Sequence, residues 1–563
     1  MFELARLRRV SSRCCQAESG PDARRRYQDR RAQGAFFTPK PLADLVVETT
    51  LAPLVDGLPV GRVPKLTVID PACGDGRFLA SAEAYLRARL QLEGTQAAEL
   101  RRRCLVGIER DPQFAEAARG TVPGSEIVVA EALSSSRMAG GANAFIGNPP
   151  YLRSIHLGAA DQALRDQLRG RFEATSFGEW DLYAAFLEHA YDMLAPGGQL
   201  GFVVPSRWLT ASYASGLRAK LAERGAMRAL IDFGSEQVFS DATTYASAVF
   251  LSRRRCEQMT VARLRSRQWS QGLVATSSLS ATPWRLSIGA TASRLQMVEG
   301  GRPRLGELAR VVKGAGTNCD PVFHFEAAPT RSGKTRVYSR AIDAEVVLES
   351  AALRPCFRGR EVPRVLDEPM PGLALVPYHR DGSLWAPATV QERYPLVWRY
   401  LLDCRQRLEA RERGRFAGPQ FYCFGRPQNM RLLMGATPRV VVPDVARGGR
   451  AHADRAGIFA LDSAYAVVPE QPVHLEALAA ILASPMVLWW LGERGVLLRG
   501  GYVRMKTAYL RELPVCDLDA LSSRLEHCPD QWQRAVADGY GLSSTLSRSP
   551  EPSTRSATSS GRS

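Results

Sequence analysis

The segment "NPPY" at positions 148 to 151 places an amide, two prolines and an aromatic ring directly after the apolar run "ANAFIG". Two consecutive prolines fix two φ angles and remove two amide donors, so this loop is stiff. The Asn148 side-chain oxygen and the Pro149 carbonyl could accept the two hydrogens of an exocyclic amine on a planar base. They would draw that nitrogen toward a tetrahedral shape and aim its lone pair at a methyl group, which is preorganised stabilisation of developing positive charge. Pro150 would hold the acceptors in place, and Tyr151 could stack on the base.

An isolated N-P-P-Y is usually only a turn, but here a second polar turn, "DPACGDG", runs from Asp70 to Gly76 between an apolar run and a helical pattern. In a doubly wound sheet such a turn binds nucleotide-like ligands. It lacks the G-K-[ST] ending of a phosphate loop, and Asp70 and Asp75 would repel a pyrophosphate. Acidic and carbonyl neighbours suit the sulfonium, the ammonium and the ribose of S-adenosylmethionine, so we expect that cofactor.

Two further acids follow the next apolar runs. Glu109 ends the run "LVGIE", where its carboxylate could accept hydrogen bonds from both hydroxyls of a ribose. Glu131 lies in the run "EIVVAEAL" and is a candidate for the exocyclic amine of the cofactor's adenine. Because the carboxyl ends of parallel strands meet at one edge of a sheet, both acids would face the same crevice as the two polar turns.

The elements that would position these residues alternate between short apolar runs and helical patterns. This alternation predicts an α/β fold with a doubly wound, Rossmann-like sheet of seven strands. The last two strands are close in sequence and could end the sheet antiparallel. Upstream, Thr38 could cap a helix that carries Pro39 in its first turn. The predicted strands are 66–70, 105–109, 126–133, 143–147, 199–205, 229–234 and 246–252.

The pattern changes along the chain and predicts five segments. A basic N-terminal segment, expected to be flexible, precedes the sheet domain, and a connecting segment with a few short strands follows it. Short strands rich in Arg, Gly, Pro and aromatics then indicate a mixed α+β domain. The last segment is a tail whose Ser/Thr/Pro-rich end is expected to be disordered from about 541. The boundaries are 1–33, 34–255, 256–300, 301–516 and 517–563.

Composition narrows the class of protein. A formal charge of +17 over 563 residues suits a polyanionic partner, although a general bias toward Arg would also produce it. The eleven cysteines form no C-x-x-C pair and no Cys/His cluster with zinc spacing, which indicates reduced thiols in a cytoplasm and no metal site. The most apolar run, "ALAAILASPMVLWWL" (477–491), is short for a membrane span and contains Pro485, so we expect a core helix.

Taken in order, these motifs resemble the gamma-class adenine-N6 DNA methyltransferases whose target-recognition domain lies C-terminal, as in the Taq-type enzymes. The resemblance covers about residues 34 to 515. It implies a class I methyltransferase domain, transfer of a methyl group from S-adenosylmethionine to N6 of adenine, and contacts of Asn148, Pro149 and Tyr151 with that adenine. The segments that carry it are "GAFFTPKPLADLVV", "DPACGDGRFL", "GIERD", "NPPY", "EWDLYAAFLEHA" and "PGGQLGFVVPSRWL".

The resemblance also implies which residues contact the cofactor and the target base. The methionine part of the cofactor would meet Thr38 and the turn after the first strand, and Glu109 would meet its ribose. The segment "SEQVFSDATTYASAVFLS" resembles one that carries an aromatic stacked on the target base. We choose Phe239 because it follows the sixth strand, with Tyr245 as the alternative. An adenine inside a duplex must be extruded before it can react. The turn residues assigned to the cofactor are Asp70, Ala72, Gly74 and Gly76.

The second domain would supply most of the contacts with DNA. Three stretches mix Arg with Gly, aromatics or amides and resemble segments of the Taq-type recognition domain: "PCFRGREVPR", "CFGRPQNM" and "LRGGYVRMKTAYLRELPV". Arginine is abundant throughout the chain, so each one is only a candidate. The candidates for DNA contact are Arg358, Arg360, Arg426, Arg499 and Arg504.

The resulting hypothesis is a site-specific adenine methyltransferase that acts on double-stranded DNA, as a monomer, in restriction-modification or phage defence. A cognate restriction endonuclease is a possible partner. Two alternatives stay open: methylation of RNA or of a protein glutamine by the same loop, and a non-catalytic DNA-specificity subunit that kept the fold. A fused PD-(D/E)-x-K nuclease is excluded because no lysine has an acid two residues before it.

Overall fold

The computed structural model describes Phe2, Leu7 and residues 38 to 542, except for 136–140, 158–161, 237, 240–244, 266–267, 327–332 and 366. The predicted basic N-terminal segment, apart from Phe2 and Leu7, and the Ser/Thr/Pro-rich end lie outside the described residues. The chain divides into two compact units, Met1–Ala292 and Ser293–Ser563.

The first unit is built on a nine-stranded sheet with helices between the early strands. Its strands are β1 (Val68–Asp70), β2 (Leu105–Glu109), β3 (Glu126–Val129), β4 (Ala142–Gly147), β5 (Leu194–Pro205), β6 (Met227–Asp232), β7 (Ala246–Ser252), β8 (Gln258–Arg265) and β9 (Gln268–Ala275). Its helices are α1 (Lys40–Val55), α2 (Arg77–Leu90), α3 (Gly94–Cys104), α4 (Pro112–Thr121), α5 (Gln162–Leu168), α6 (Leu182–Asp192) and α7 (Ser215–Glu223).

The strand order is β3-β2-β1-β4-β5-β7-β6-β8-β9. Strands β1 to β5 pair in parallel, whereas β7 lies antiparallel between β5 and β6. The order reverses between β1 and β4, and a doubly wound sheet binds ligands at the carboxyl ends of such a strand pair. This topology confirms the predicted α/β class I fold and its antiparallel end.

Buried side chains cover both faces of this sheet, which explains why its central strands read as continuous apolar runs. One core cluster contains α6, whose residues from Leu182 to Tyr191 are all buried. The cluster on the other side contains the apolar residues of α1 and α2. The carboxyl edge of the sheet is therefore held between two packed layers.

The predicted connecting segment, 256–300, is wrong in its first half, and the count of seven strands is too low. Strand β8 pairs in parallel with β6, and β9 pairs antiparallel with β8. The two strands cover the edge that β6 would otherwise expose, and exposed strand edges are prone to unwanted pairing. The pairing also buries β8 itself, from Val261 to Leu264.

The second unit is a mixed α+β domain, as predicted. Its strands are β10 (Ala309–Lys313), β11 (His324–Phe325), β12 (Lys334–Ser339), β13 (Ala344–Glu349), β14 (Leu353–Phe357), β15 (Gly372–Leu375), β16 (Arg439–Pro443), β17 (Val445–Ala446), β18 (His452–Asp454), β19 (Phe459–Ala460), β20 (Ala464–Pro469), β21 (Leu497–Leu498) and β22 (Tyr502–Arg504). They form sheets ordered β10-β20-β16-β18, β11-β15-β14-β19, β12-β13 and β17-β22-β21.

Twelve helices accompany these strands among the described residues, the first of them preceding β10. They are α8 (Gly289–Glu299), α9 (Leu305–Leu308), α10 (Asp320–Phe323), α11 (Pro387–Arg393), α12 (Pro395–Asp403), α13 (Arg405–Glu409), α14 (Met430–Leu433), α15 (Leu475–Ala483), α16 (Pro485–Arg494), α17 (Thr507–Arg511), α18 (Leu518–His527) and α19 (Trp532–Gly539).

The predicted tail is wrong from 517 to 542, because α18 and α19 belong to the core of the second unit. Leu521, Val536 and Tyr540 are buried in the same cluster as α15. The Tyr540 hydroxyl donates a hydrogen bond to the Pro514 carbonyl over 2.7 Å. The sequence does contain apolar residues at helical spacing here, but the polar composition of the segment led to the prediction of a tail.

The apolar run 477–491 is a core element, as predicted, but it forms parts of two helices. Helix α15 ends at Ala483, and α16 begins after Ser484, whose hydroxyl accepts a hydrogen bond from the Val487 amide over 3.3 Å. No single helix in the described part of the chain is long and apolar enough to cross a membrane. The two helical segments 472–483 and 485–494 would be long and apolar enough if taken together, but the angle between them is 64°.

Candidate active site

The "NPPY" loop begins where the end of β4 meets the end of β1. Gly147 has a φ of 147°, and a Cβ atom there would lie 2.6 Å from Oδ1 of Asp70. Only glycine combines that backbone conformation with so close an approach. The two polar turns that the sequence predicted to share an edge are therefore in contact at the reversal point of the sheet.

Asn148 is held by Thr38, which lies two residues before α1. Its Nδ2 donates a hydrogen bond to the buried Thr38 hydroxyl over 3.1 Å. Helix α1 begins at Lys40 with Pro39 in the N-cap position and no side-chain cap, so the prediction that Thr38 caps the helix is wrong. The hydrogen bond turns the amide oxygen of Asn148 away from Thr38.

Asp70 is a buried carboxyl group at the end of β1, with 1% of the residue exposed. Oδ1 accepts a hydrogen bond from the Ala72 amide over 3.1 Å, whereas Oδ2 is buried with no hydrogen-bond partner among the described residues. Burial raises the pKa of Asp70 well above its usual value, and the neighbouring acids Glu109 and Asp75 raise it further. A carboxyl group in this setting favours a cationic ligand, which would pair with its ionised form.

Glu109 ties the turn after β1 to the turn after β2. Oε2 accepts from the Gly74 amide over 2.9 Å, and Oε1 accepts from the Asp111 amide over 2.9 Å. Each carboxylate oxygen has two lone pairs, so these bonds fix Glu109 while leaving it able to accept a hydroxyl. Gly74 and Gly76 both have positive φ, and a Cβ on Gly76 would lie 3.2 Å from the Ala118 backbone.

Glu131 lies beyond β3, which ends at Val129, two residues earlier. Its carboxylate accepts from the Leu133 amide over 3.2 Å and caps the short 3-10 turn from Ala132 to Ser134. The predicted strand 126–133 is therefore too long. The capping bond fixes the direction of Glu131 at the same edge of the sheet as Glu109, because β3 pairs in parallel with β2.

Tyr151 is packed between two aromatic side chains. Its ring centroid lies 6.1 Å from that of Tyr183 and 6.0 Å from that of Phe239, edge-on to both. Its hydroxyl donates to the Val203 carbonyl over 3.3 Å. Phe239, chosen from the sequence to stack on the base, thus lies beside Tyr151, with only 1% of its surface exposed. The alternative, Tyr245, is half-buried in front of β7, where its carbonyl accepts from the Ser206 amide over 2.8 Å.

The two prolines differ in their surroundings. Pro149 is buried and Pro150 is half-buried. Beyond them, the chain from Leu152 to Ser154 runs beside the segment that leads into α6. The Ser154 amide donates to the Trp180 carbonyl and the Leu182 amide donates to the Leu152 carbonyl, both over 2.8 Å. The loop is therefore anchored at both ends.

A chain of buried polar groups lies behind Tyr151, and the sequence analysis did not identify it. The hydroxyls of Tyr183 and Tyr213 are 2.6 Å apart, and the Asp181 carboxylate lies close to Tyr213. Burial raises the pKa of Asp181, although Tyr213 and Arg207 oppose that shift. The only sequence signal was that Asp181 and Tyr183 fall in the segment "EWDLYAAFLEHA", which was used for the resemblance.

Arg358 was predicted to contact DNA, but the structure buries its side chain and pairs it with two acids. The residue is 7% exposed, and its guanidinium bonds Glu361 over 2.5 Å and Glu326 over 3.3 Å. The capping turn after β14 directs this side chain inward. Arg360 is different: its side chain is 61% exposed and pairs with Glu326 over 2.6 Å, so a phosphate could compete for it.

The other three candidates for DNA contact also lie in the second unit. Arg426 is exposed, and its backbone pairs with Gly316. Arg504 is half-buried on β22, and its Nε is buried without a hydrogen-bond partner in the described part of the chain. The side chain of Arg499 lies outside the described residues.

The second unit also brings together His324, Cys356 and Glu361, whose possible metal-ligating atoms lie within 4.8 Å of one another. Their distant sequence positions gave no zinc spacing. Glu361 is already engaged: burial opposes its ionisation, but the neighbouring His324, 3.2 Å away, and a hydrogen bond from Arg358 lower its pKa to about 2. A cation here would face the Arg358 guanidinium, so this arrangement is an ion-pair cluster and not a metal centre.

Residues 105–239 match the family model of the Eco57I restriction-modification methylases, a range that contains Glu109, the "NPPY" loop and Phe239. The type II methyltransferase M.XhoI of Xanthomonas vasicola is 25% identical over 66% of this chain and 67% of its own length. M.PaeR7I of Pseudomonas aeruginosa is 23% identical over 66% of this chain and 64% of its own. The chain is related to the type II restriction-modification methyltransferases. The matched region spans only 40% of another relative, the restriction enzyme and methyltransferase RM.Eco57I of Escherichia coli, at 22% identity and 66% of this chain.

The fold agrees with this relationship. The type IIL restriction-modification enzyme MmeI, solved in complex with DNA, has a TM-score of 0.62 at 15% identity, covering 93% of this chain and 77% of that one. The relatives imply S-adenosylmethionine as the cofactor, as the sequence predicted. The crevice fits a cationic nucleoside, because Asp70 has an unbonded oxygen beside two acids and Gly74 and Gly76 leave the turn without side chains. The gamma class and a Taq-type recognition domain remain predictions.

Proposed function

We propose that this restriction-modification methyltransferase methylates N6 of adenine in double-stranded DNA. The observation that carries the proposal is the hydrogen bond from Asn148 to Thr38 at the reversal point of the sheet, beside the buried Asp70. It sets the Asn148 amide so that its oxygen faces away from Thr38, as an acceptor for an exocyclic amine must. S-adenosylmethionine supplies an electrophilic methyl group when it is bound.

The residues of the "NPPY" loop would act on the base and not on the methyl donor. The Asn148 oxygen and the Pro149 carbonyl accept the two amine hydrogens, which keeps the nitrogen lone pair out of the ring. The nitrogen would then take the methyl group that the donor supplies, the donor would leave as a neutral thioether, and the proton lost from the nitrogen would pass to water. The acceptors stabilise the positive charge on nitrogen before that proton is lost, and Pro150 keeps them from relaxing.

The acidic edge of the sheet would hold the donor. Asp70 with the turn residues Ala72, Gly74 and Gly76 would contact its methionine part, Glu109 its ribose and Glu131 its adenine. Glu109 is suited to this because its two existing hydrogen bonds prevent rotation of the carboxylate. Thr38, which the resemblance assigned to the cofactor, has its hydroxyl engaged with Asn148 and would act mainly through that residue.

Tyr151 and Phe239 would stack on the extruded base. Their edge-to-face pairing is a favourable aromatic arrangement, and a planar base entering between the loop and Phe239 would exchange one such contact for another. In the second unit, Arg360, Arg426, Arg499 and Arg504 remain the DNA-contact candidates. Arg358 is withdrawn because it is buried and paired.

Transfer of labelled methyl from S-adenosylmethionine to unmethylated genomic DNA, followed by nucleoside analysis, tests the proposal. N6-methyladenine from the wild type and none from Asn148→Ala is the expected result. Gln162→Ala, an exposed residue of α5, is the control and should retain activity. Label on a different base, or on RNA or protein glutamine only, would overturn the proposal. Failure to bind the cofactor would favour a non-catalytic specificity subunit.

A further inference from the structure

Tyr151 is positioned from behind by Tyr183, whose ring lies edge-on to it at the start of α6. Tyr183 is 1% exposed, so a ligand in solution cannot contact it directly. Its ring can orient Tyr151 only if its own position is fixed. The contacts of the Tyr183 hydroxyl therefore bear on the geometry of the "NPPY" loop.

The Tyr183 hydroxyl belongs to a chain of buried polar groups. It forms a hydrogen bond of 2.6 Å with the Tyr213 hydroxyl. Burial raises the pKa of both hydroxyls, and the nearby Asp181 carboxylate raises it further. Both hydroxyls therefore stay protonated, and the bond between them resists rotation of either ring.

The two ends of this chain are attached to rigid parts of the fold. Asp181 forms a backbone bridge with Arg153, just beyond the "NPPY" loop, and its carboxylate lies 3.9 Å from Arg207. The turns that carry Trp208 and Tyr213 are fastened by Arg218, a residue with 1% exposure that donates to the carbonyls of Trp208 and Ala211. Displacing one member would shift the others.

We propose that Asp181, Tyr213 and Tyr183 are positioning residues that set the Tyr151 ring for the target base. The inference deepens the proposed function and rests on it. None of the three touches the reacting atoms; they act through Tyr151 by fixing the ring against which it packs. Loss of one hydroxyl should slow the methyl-transfer step without weakening cofactor binding, because the acidic turns after β1 and β2 are not part of the chain.

Tyr183→Phe and Tyr213→Phe remove one oxygen each and keep the rings. The matched control is Tyr191→Phe, since Tyr191 is a buried residue of the same helix whose ring packs under the Arg253 guanidinium, 5.2 Å from the ring centroid. We expect kcat on unmethylated DNA to fall about tenfold in the two variants, with KM for S-adenosylmethionine within about twofold of the wild type. Tyr191→Phe should keep both constants while losing similar thermal stability.

A second measurement does not depend on activity. Amide hydrogen exchange of the peptide spanning residues 146 to 154 should become about fivefold faster in Tyr213→Phe than in Tyr191→Phe, because the loop loses its backing. Equal exchange in the two variants, or an unchanged kcat in Tyr213→Phe, would overturn the inference. If the wild type methylates no DNA, the proposed function is wrong, but this does not decide the inference about the three positioning residues. The hydrogen-exchange comparison still tests whether Asp181, Tyr213 and Tyr183 hold the "NPPY" loop in place.

Discussion

The amide nitrogen of Asn148 and the hydroxyl oxygen of Thr38 lie 3.1 Å apart in a hydrogen bond between the loop after β4 and the residue pair that precedes α1. The two residues are far apart in the sequence and belong to different motifs. Their contact decides which end of the Asn148 amide points away from Thr38, because an amide can present either a donor or an acceptor. Under the proposed function, Thr38 would therefore affect catalysis without touching the base.

Replacing Thr38 with Val removes the hydroxyl but keeps the shape of the side chain. We expect the methyl-transfer rate to fall about tenfold, since the Asn148 amide can then rotate and lose the acceptor position, at a cost of about 1 kcal/mol. Single-turnover transfer of labelled methyl measures this. Thr38→Ser keeps the hydroxyl and should retain most of the rate; an equally slow Ser variant would mean that the methyl group matters instead.

Gly147→Ala should destabilise the first domain by about 1–3 kcal/mol, because the backbone there has a φ of 147° and the new methyl group would lie 2.6 Å from Asp70. Affinity for S-adenosylmethionine should fall with it as Asp70 is displaced. Gly120→Ala is the control: nothing lies within 4 Å of its Cβ position in α4, so alanine should leave stability unchanged or raise it by up to about 1 kcal/mol. Chemical denaturation and calorimetric titration of the cofactor measure the two effects.

The first domain should lose stability as pH rises above the ordinary Asp pKa of 3.8. The folded pKa of Asp70 is raised by burial, so the folded state binds more protons than the unfolded state between the ordinary and the raised value, and stability falls across that window. Affinity for the cationic cofactor should rise over the same window as Asp70 ionises. Asp70→Asn should flatten the melting-temperature profile and abolish cofactor binding. A wild-type profile identical to that of Asp70→Asn would contradict this.

Substitution of Arg358 should affect stability, whereas substitution of Arg426 should affect DNA binding. Arg358→Ala breaks a buried ion pair and should destabilise the second domain by about 3–5 kcal/mol. Arg426→Gln should leave the melting temperature unchanged, weaken DNA binding and reduce the slope of log affinity against log salt by about one. Thermal unfolding and salt-dependent binding to duplex DNA separate the two. An unchanged salt slope in Arg426→Gln would remove it from the DNA-contact candidates.

The chain ended after Leu542 should be as stable as the full protein, whereas the chain ended after Cys516 should unfold or aggregate. The second truncation removes α18, α19 and the buried Tyr540, and it exposes apolar residues of α15. Limited proteolysis and gel filtration of the two proteins measure this. Tyr540→Phe in the full chain is the milder test, and it should lower the melting temperature by the loss of one buried hydrogen bond.

The sequence by itself determined the class of fold, the succession of the strands along the chain up to β7 and the two polar turns. These features are local: an apolar strand followed by Asp or Asn and a tight turn can be recognised within ten residues, and parallel strands bring their carboxyl ends to one edge. Phe239 was chosen for the target base from its place after the sixth strand, and in the structure it lies beside Tyr151; its stacking on a base stays a prediction.

Only the tertiary structure decided how these residues are held. The hydrogen bond from Asn148 to Thr38, the chain behind Tyr151 and the burial of Arg358 depend on side chains from separate elements that meet after the sheet and its helices pack. Hydrophobic periodicity reports which face of an element is buried, but not which polar groups meet there. The helices after residue 517 escaped prediction for a related reason, since their few apolar residues gain stability only against α15.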